Sequence, residues 1–344
     1  MKRIVVHRPG GYDRLRNEQQ ADPTPGPGEV LIEVAAAGVN FADCVTRMGL
    51  YESARQLVGY PITPGFEVAG RVQALGDGVQ HLRSGDPVIG LTLFGGYTTH
   101  LVLPRTRVFR KPEGWTMPEA AGFPTVFLTA WYALHELAHP RAGDNVLIHS
   151  AAGGVGGALT QLAKQAGCRV VGVVGASHKR AHVESMGADA VIDKSSQDLW
   201  TEALRLAPKG YELILDANGT ETLRQSYRHL ALGGKLVVYG FHSMLRKGRG
   251  RPDRLKLLWD YLRIPRFNPL QMTLANRGVL GFNLSVLQDR EELLTGALRE
   301  LLRWANEGRV RPLKTTTYPF DKAAEAHRAL ESGQTLGKIV LALE

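Results

Sequence analysis

Over the first 120 residues the apolar positions fall in short runs, and Gly or Pro closes nearly every one. IVVH runs into RPGGYD, and PTPGPGE precedes VLIEVAAAGVN; VAGRVQALG, DPVIGL and YTTHLVLP follow. Runs this short between turn signals predict strands of a small barrel or sandwich. From about Glu119 the texture changes, and EAAGFPTVFLTAWYALHELA has the length and spacing of a helix. The runs NVLIHS, RVVGVVG, AVIDK, LILDANG and KLVVYGF then alternate with helices of ten or so residues. Apolar strands alternating with helices indicate a doubly wound parallel sheet. GVLGFNL is one more strand-like run, and DREELLTGALRELLRWANEG follows with Leu293, Leu294, Leu298, Leu301 and Leu302 on one helical face. The tail TTTYP, an amphipathic helix and GKIVLALE are expected to return to the N-terminal domain, because the parallel sheet already has its strands.

With 344 residues and 44% hydrophobic content, two domains with real cores are expected and a disordered chain is excluded. Cys44 and Cys168 are the only cysteines, which excludes a disulfide framework and a four-cysteine zinc module. No apolar run approaches the ~20 residues of a membrane helix. MKRIVVH lacks a signal-peptide apolar region, so a reducing cytoplasm is the expected compartment. The net charge is +9, but eight basic residues and only Asp253 and Asp260 lie between Arg246 and Arg266. The rest is nearly balanced, which argues against a nucleic-acid binder.

The strongest chemical motif is NVLIHSAAGGVGGALTQLAKQAG. A strand enters a turn at Ala152, and Gly153, Gly154, Val155 and Gly156 open a helix. Glycines let the backbone turn tightly and approach a pyrophosphate, and the helix N-terminus offers N–H groups to it. With a second strand following, this predicts a dinucleotide site. An NAD site usually carries Asp or Glu at the end of that second strand. Here the strand runs into Gly175, Ser177, His178, Lys179 and Arg180, without a carboxylate. Cations attract a 2′-phosphate, so NADP(H) is expected, with Lys179 the favoured contact, Ser177 and Arg180 near, and Lys194 a further candidate.

GEVLIEVAAAGVNFAD, TPGFEVAGRV, GDPVIGL, GGYTTHLVLP and SAAGGVGGA together resemble the medium-chain dehydrogenase/reductase superfamily over nearly the whole chain. The resemblance implies an α/β protein, with a GroES-like β-barrel catalytic domain at 1–122 and 288–344. It implies a Rossmann NADP-binding domain at 123–287, with a basic insertion at about 243–275, and NADPH between the two. The family's alcohol dehydrogenases place zinc ligands where this chain has Asn40 and Phe66, and neither is a zinc ligand. The histidines show no H-x-x-H pair and no Cys/His clustering, so no metal site is expected. The resemblance narrows to the zinc-independent, zeta-crystallin-like quinone oxidoreductases. NFADCVTRMGLY and QMTLANRGVLGFNL look most like the vesicle amine transport protein homologue branch.

That resemblance implies NADPH-dependent hydride transfer to a quinone or an α,β-unsaturated carbonyl. It places Asn40, Phe41 and Asp43 near the nicotinamide, with Tyr51 the candidate hydrogen-bond donor. A second tyrosine of the family pattern is Val45 here. Capping of a short helix starting at Asn40 is the other reading of Asn40 and Asp43, and the two roles can coexist. Thr129, Tyr239, Gly240, Phe241, Leu280, Gly281, Phe282 and Lys338 complete the implied cofactor contacts, and a homodimer joined through the Rossmann sheets is implied too. Two rivals stay open: an NADPH-binding protein acting mainly at lipid or membrane surfaces, and an enoyl-thioester reductase. The insertion SMLRKGRGRPDRLKLLWDYLRIPRFNP mixes cations with Leu255, Leu257, Leu258, Trp259, Tyr261 and Leu262. Packing on its own protein, a substrate lid, a dimer contact and an anionic-lipid contact at the membrane periphery are its alternatives.

Overall fold

The computed structural model describes residues 1–343. The chain divides into two compact units: Met1–Leu128, Lys247–Arg251 and the residues from Ser285 onward form the first, Thr129–Arg246 and Pro252–Leu284 the second. The boundaries expected at 122/123 and 287/288 therefore move to 128/129 and 284/285, and five residues of the basic insertion return to the first unit. Gly250 shows why. Its carbonyl accepts a bond from the buried Arg47 guanidinium at 3.0 Å. Its φ is +65°, and a Cβ there would stand 2.4 Å from the Tyr12 ring, so only glycine fits.

In the first unit, β1 (Lys2–Val5) and β2 (Arg16–Gln19) form an antiparallel ribbon. β3 (Glu29–Val39), β4 (Glu67–Leu75), β5 (Pro87–Leu91), β6 (His100–Pro104) and β7 (Val108–Arg110) build the larger sheet, in which β3 bonds both β4 and β6. The second unit holds β8 (Asn145–Ile148), β9 (Arg169–Val174), β10 (Ala190–Asp193), β11 (Tyr211–Asp216), β12 (Leu230–Val238) and β13 (Gly278–Gly281). All pair in parallel, in the order β10-β9-β8-β11-β12-β13. Last come β14 (Thr315–Pro319) and β15 (Lys338–Ala342), which rejoin the first sheet as β15 pairs antiparallel with β3.

Alternation along β3 puts Val30, Ile32 and Val34 into one core with Val68, Val72, Val88, Ile339 and Leu341. The parallel strands supply a second core from Leu147, Val171, Val173, Ile192, Ile214 and Leu236. The single helix read from the sequence after Glu119 is two. Met117–Ala121 starts at a Thr116–Glu119 capping box, and Pro124–Trp131 starts after Gly122 and Phe123. Pro124 has no N–H to continue the first helix but suits the start of the second. The backbone then widens to a π-helical stretch at Tyr132–Ala138.

Within the insertion, the helices Arg254–Arg263 and Pro269–Ala275 do not turn their apolar stripes inward. Leu255, Leu258, Trp259, Tyr261 and Leu262 are 58–81% exposed and Leu257 is partly buried, while Asp260 on the same helix is buried and paired with Lys256. Packing of that stripe on its own protein is thus corrected: it faces solvent within this chain. Among the described residues, no helix is long and apolar enough to cross a membrane.

Candidate functional site

In the second unit the strand order reverses between β8 and β11, so a crevice opens at their carboxyl ends. The glycine turn lies there. Helix Gly154–Gln165 begins at Gly153, which puts no side chain over the first turn. At Gly156 a Cβ would stand 2.4 Å from the Ser150 carbonyl oxygen and 2.6 Å from Ala151 Cα. Only glycine lets strand and helix close this tightly. Across the reversal, Ser150 Oγ donates to Asn218 Oδ1 at 2.9 Å. Beneath it, Asp216 accepts from the Asn218 and Gly219 N–H groups and from the Thr222 and Ser226 hydroxyls, and Ser226 also meets His149 Nε2. Burial holds His149 below its ordinary pKa, so this floor stays uncharged on the imidazole side.

The neighbouring strand ends carry the other residues expected in this unit. Gly175 and Ser177 follow β9, and Lys194 follows β10 with its N–H on the Val174 carbonyl. A Cβ on Gly175 would meet only Lys194 Cε, at 3.7 Å. Lys179 is largely buried on the short turn after β9. Arg180 is drawn away toward Glu184 and Gln197. Ser177 Oγ donates to Asp193 Oδ2, so it braces the loop rather than standing uncommitted. Asp193 was not expected from the sequence. Hydroxyls of Ser177 and Ser195 lower its pKa to about 2, which ties the β9 and β10 ends together. At the other side of the crevice, Tyr239 and Phe282 rings stack at 6.2 Å and Tyr132 meets Phe282 at 5.0 Å. Tyr132 carried no sequence signal, since it reads as one more helical aromatic; Thr129 lies one turn earlier on the same helical segment. Gly240 packs on Ala217, where a Cβ would come within 2.9 Å of a carbonyl oxygen. Phe282 N–H bonds the Val238 carbonyl, fixing Leu280, Gly281 and Phe282 beside β12, and Phe241 is half exposed.

In the first unit, Asn40 precedes helix Phe41–Met48, and Phe41 opens it. Asn40 Nδ2 donates to Glu67 Oε1 at 2.9 Å, and Lys338 Nζ bridges Glu67 at 2.7 Å and Asn40 Oδ1. Glu67 Oε2 accepts the Thr125 N–H. All three members of this cluster are nearly fully buried, so Lys338 is committed to Glu67 and Asn40. Asp43 is fully buried. Its carboxylate accepts from the Asn40 and Gly65 N–H groups and from Tyr97 Oη. The capping reading therefore fits Asp43, and its reading as a group facing substrate is withdrawn. Tyr51 sits at the start of helix Glu52–Leu57, its ring edge-on to Phe66 at 6.1 Å and Phe94 at 6.4 Å.

Burial raises the Asp43 pKa from 3.8 to about 7, against its hydrogen-bond donors and Lys338. Between roughly pH 4 and 7 the folded chain then keeps a proton that the unfolded chain has released. This group's contribution to stability is present below that window and is lost as pH rises through 7. Thermal melts at pH 5 and pH 8 are expected to show a smaller pH dependence for Asp43→Asn than for the native chain. Equal slopes would mean that another group titrates.

A zinc ion does not fit the position its family ligands would occupy. Asn40 offers an amide already bonded to Glu67 and Lys338, and Phe66 offers a hydrocarbon ring. The expectation of no Cys/His clustering needs correction. Folding gathers Cys44, His327 and Glu331, all buried, with donor atoms within 4.8 Å. Arg47 stands 2.7 Å from Glu331 and already supplies the positive charge there, which opposes a dication.

A model of an alcohol dehydrogenase GroES-like domain matches residues 26–113, and one of a zinc-binding dehydrogenase matches 186–341. The human synaptic vesicle membrane protein VAT-1 homolog is 34% identical over 342 residues, covering 98% of this chain and 85% of its own. This chain belongs to the medium-chain dehydrogenase/reductase superfamily. Within that superfamily, the Escherichia coli quinone oxidoreductase complexed with NADPH superposes with a TM-score of 0.84 at 27% identity, covering 100% of both chains. The CurK enoyl reductase superposes at 0.86 and 28% identity, over 100% of this chain and 99% of its own. The superfamily's two-part α/β architecture, GroES-like then Rossmann-type, is the one found here.

Proposed function

We propose that this chain is an NADPH-dependent oxidoreductase that passes hydride to a quinone or an α,β-unsaturated carbonyl without a metal ion. The observation that carries the reading is the crevice at the β8–β11 reversal: an uncapped glycine turn on one strand end, and Lys179 and Lys194 after the next two, where the Asp193 carboxylate is taken up by Ser177 and Ser195. Helix N–H groups at Gly154, Val155 and Gly156 suit a pyrophosphate, and Lys179 and Lys194 suit the 2′-phosphate. Thr129, Tyr239 and Phe282 are assigned to the nicotinamide end. Bound there, the reduced nicotinamide supplies the hydride. Conjugation already activates such acceptors, so the protein's work is to orient, to exclude water and to donate to the developing oxyanion. Phe66 and Phe94 form an apolar wall beside Tyr51, the proposed donor. Asn40, held by Lys338, fixes the start of the helix that Phe41 opens.

The test is NADPH oxidation against a panel of quinones, enones and enoyl thioesters. Turnover with quinones or enones is expected. A preference for thioesters would support the enoyl reductase reading instead, and no turnover with any acceptor would overturn the enzyme assignment. Tyr51→Phe is expected to lower kcat about tenfold or more with little change in the KM for NADPH. An unchanged kcat would remove Tyr51 from the chemistry.

A second reading keeps NADPH but places the main activity at lipid surfaces, and the outward stripe of Leu255, Leu258, Trp259 and Leu262 favours it. A homodimer through the parallel sheets is part of the first proposal: β13 ends the sheet and pairs with β12 on one side. Light scattering is expected to give twice the 37.6 kDa of the chain; a monomer would remove it.

A further inference from the structure

A cavity of about 280 Å³ opens in the second unit between helix Leu223–Arg228 and the segment Pro265–Met272. Arg224, Arg228 and Arg266 line it, with Tyr227, Phe267 and Asn268. No carboxylate is among its lining residues. None of the three arginines makes an ion pair among the described residues. Arg205 pairs with Glu202 one turn away, Arg180 with Glu184, and Arg303 with Glu300 and Glu307. Arg224 and Arg228 instead stand four apart on one helix with like charge, an arrangement that works against the helix.

The floor is built to match. Tyr227 and Phe267 rings meet at 5.2 Å. The Tyr227 hydroxyl is shielded from solvent and has no hydrogen-bond partner among the described residues, and a buried polar atom left so calls for one. Asn268 Oδ1 caps the following helix at Leu270 N–H, which leaves its Nδ2 as a donor. Guanidinium forks, a hydroxyl and an amide around one pocket are the donor set of phosphoryl recognition.

The cavity is separate from the dinucleotide crevice. Arg228 precedes β12, whose first residue Leu230 pairs with Tyr211, the first of β11. Arg277, just before β13, bonds the Tyr227 carbonyl. These are amino ends of strands, whereas the glycine turn follows the carboxyl end of β8. We propose that this cavity is a second anion site of the protein, taking a phosphoryl group borne either by a small soluble ester or by a phospholipid headgroup. Leu270 and Leu274, exposed on the helix whose Gln271 and Met272 line the cavity, make the second source worth a separate arm.

The test uses the full chain with NADPH present. Calorimetry with glycerol 3-phosphate and with inorganic phosphate forms one arm. Flotation with vesicles of phosphatidylcholine alone, or with a fifth phosphatidylserine, forms the other. Saturable uptake in at least one arm is expected, weakened about tenfold by Arg224→Gln or Arg266→Gln and more by the triple glutamine variant, and reduced by salt. The soluble arm alone identifies a small ester, and serine-lipid vesicles alone identify a headgroup. Arginine-to-lysine variants should recover part of the loss, and NADPH affinity should not move. The positions are exposed, so melting temperature checks that the variants fold. No uptake in either arm, or uptake retained by the triple variant, would overturn the site.

Discussion

Replacing Lys338 by methionine is expected to destabilise the protein by about 3–5 kcal/mol, read as a fall in thermal or denaturant midpoint. The size follows from what is left behind. Glu67 is fully buried, and Lys338 is its sole cationic partner among the described residues, at 2.7 Å. Removing the ammonium strands a carboxylate in the interior, which costs far more than losing a surface ion pair. Adding Glu67→Gln should restore part of the loss, because the stranded charge disappears while one oxygen can still accept from Asn40. A single variant within about 0.5 kcal/mol of the native chain, the usual range for surface substitutions, would show that these charges do not depend on each other.

The second large effect concerns cofactor choice. Lys179→Glu is expected to raise the KM for NADPH by on the order of 100-fold and to change that for NADH little. A charge-assisted bond to phosphate contributes roughly 1.5–3 kcal/mol, and each 1.4 kcal/mol is about tenfold in affinity. Glutamate adds repulsion to that loss. Lys194 is left in place, so some phosphate attraction remains, and the double variant with Lys194→Glu should go further. Initial-rate kinetics with both nucleotides decide the matter. An equal loss for both would mean that Lys179 supports the loop rather than the phosphate.

Much of this architecture is legible in the chain because its signals are local. The alternation in VLIEV, the apolar parallel strands and the glycine turn each lie within a dozen residues, and each appears as an element. The break at Gly122 to Pro124 was also there to be read, but the apolar spacing on either side ran in phase and masked it. What could not be read lies in pairs remote along the chain. Glu67 and Lys338 are both isolated charges in the sequence, and nothing near either names its partner. Ser177 looked like a phosphate ligand because its bond to Asp193 spans two strands. Asp43 admitted two roles from sequence, and burial by Tyr97 and Gly65 decided between them. Arg224 and Arg228 carry no signal in the sequence, and only the fold brings them to one cavity with Arg266.

The pairing of β15 with β3 has a consequence for how the protein is made. Val39 and its partner Ile339 are 300 residues apart, which at ~5–20 residues per second is roughly 15–60 s of ribosomal synthesis. Through that interval the nascent N-terminal sheet has β4 and β6 available to it, but the stretch of β3 at Ala36–Val39 waits for a neighbour not yet translated. Chaperone attention to this protein in the cell should concentrate on that exposed edge, and should end when the last strand leaves the exit tunnel.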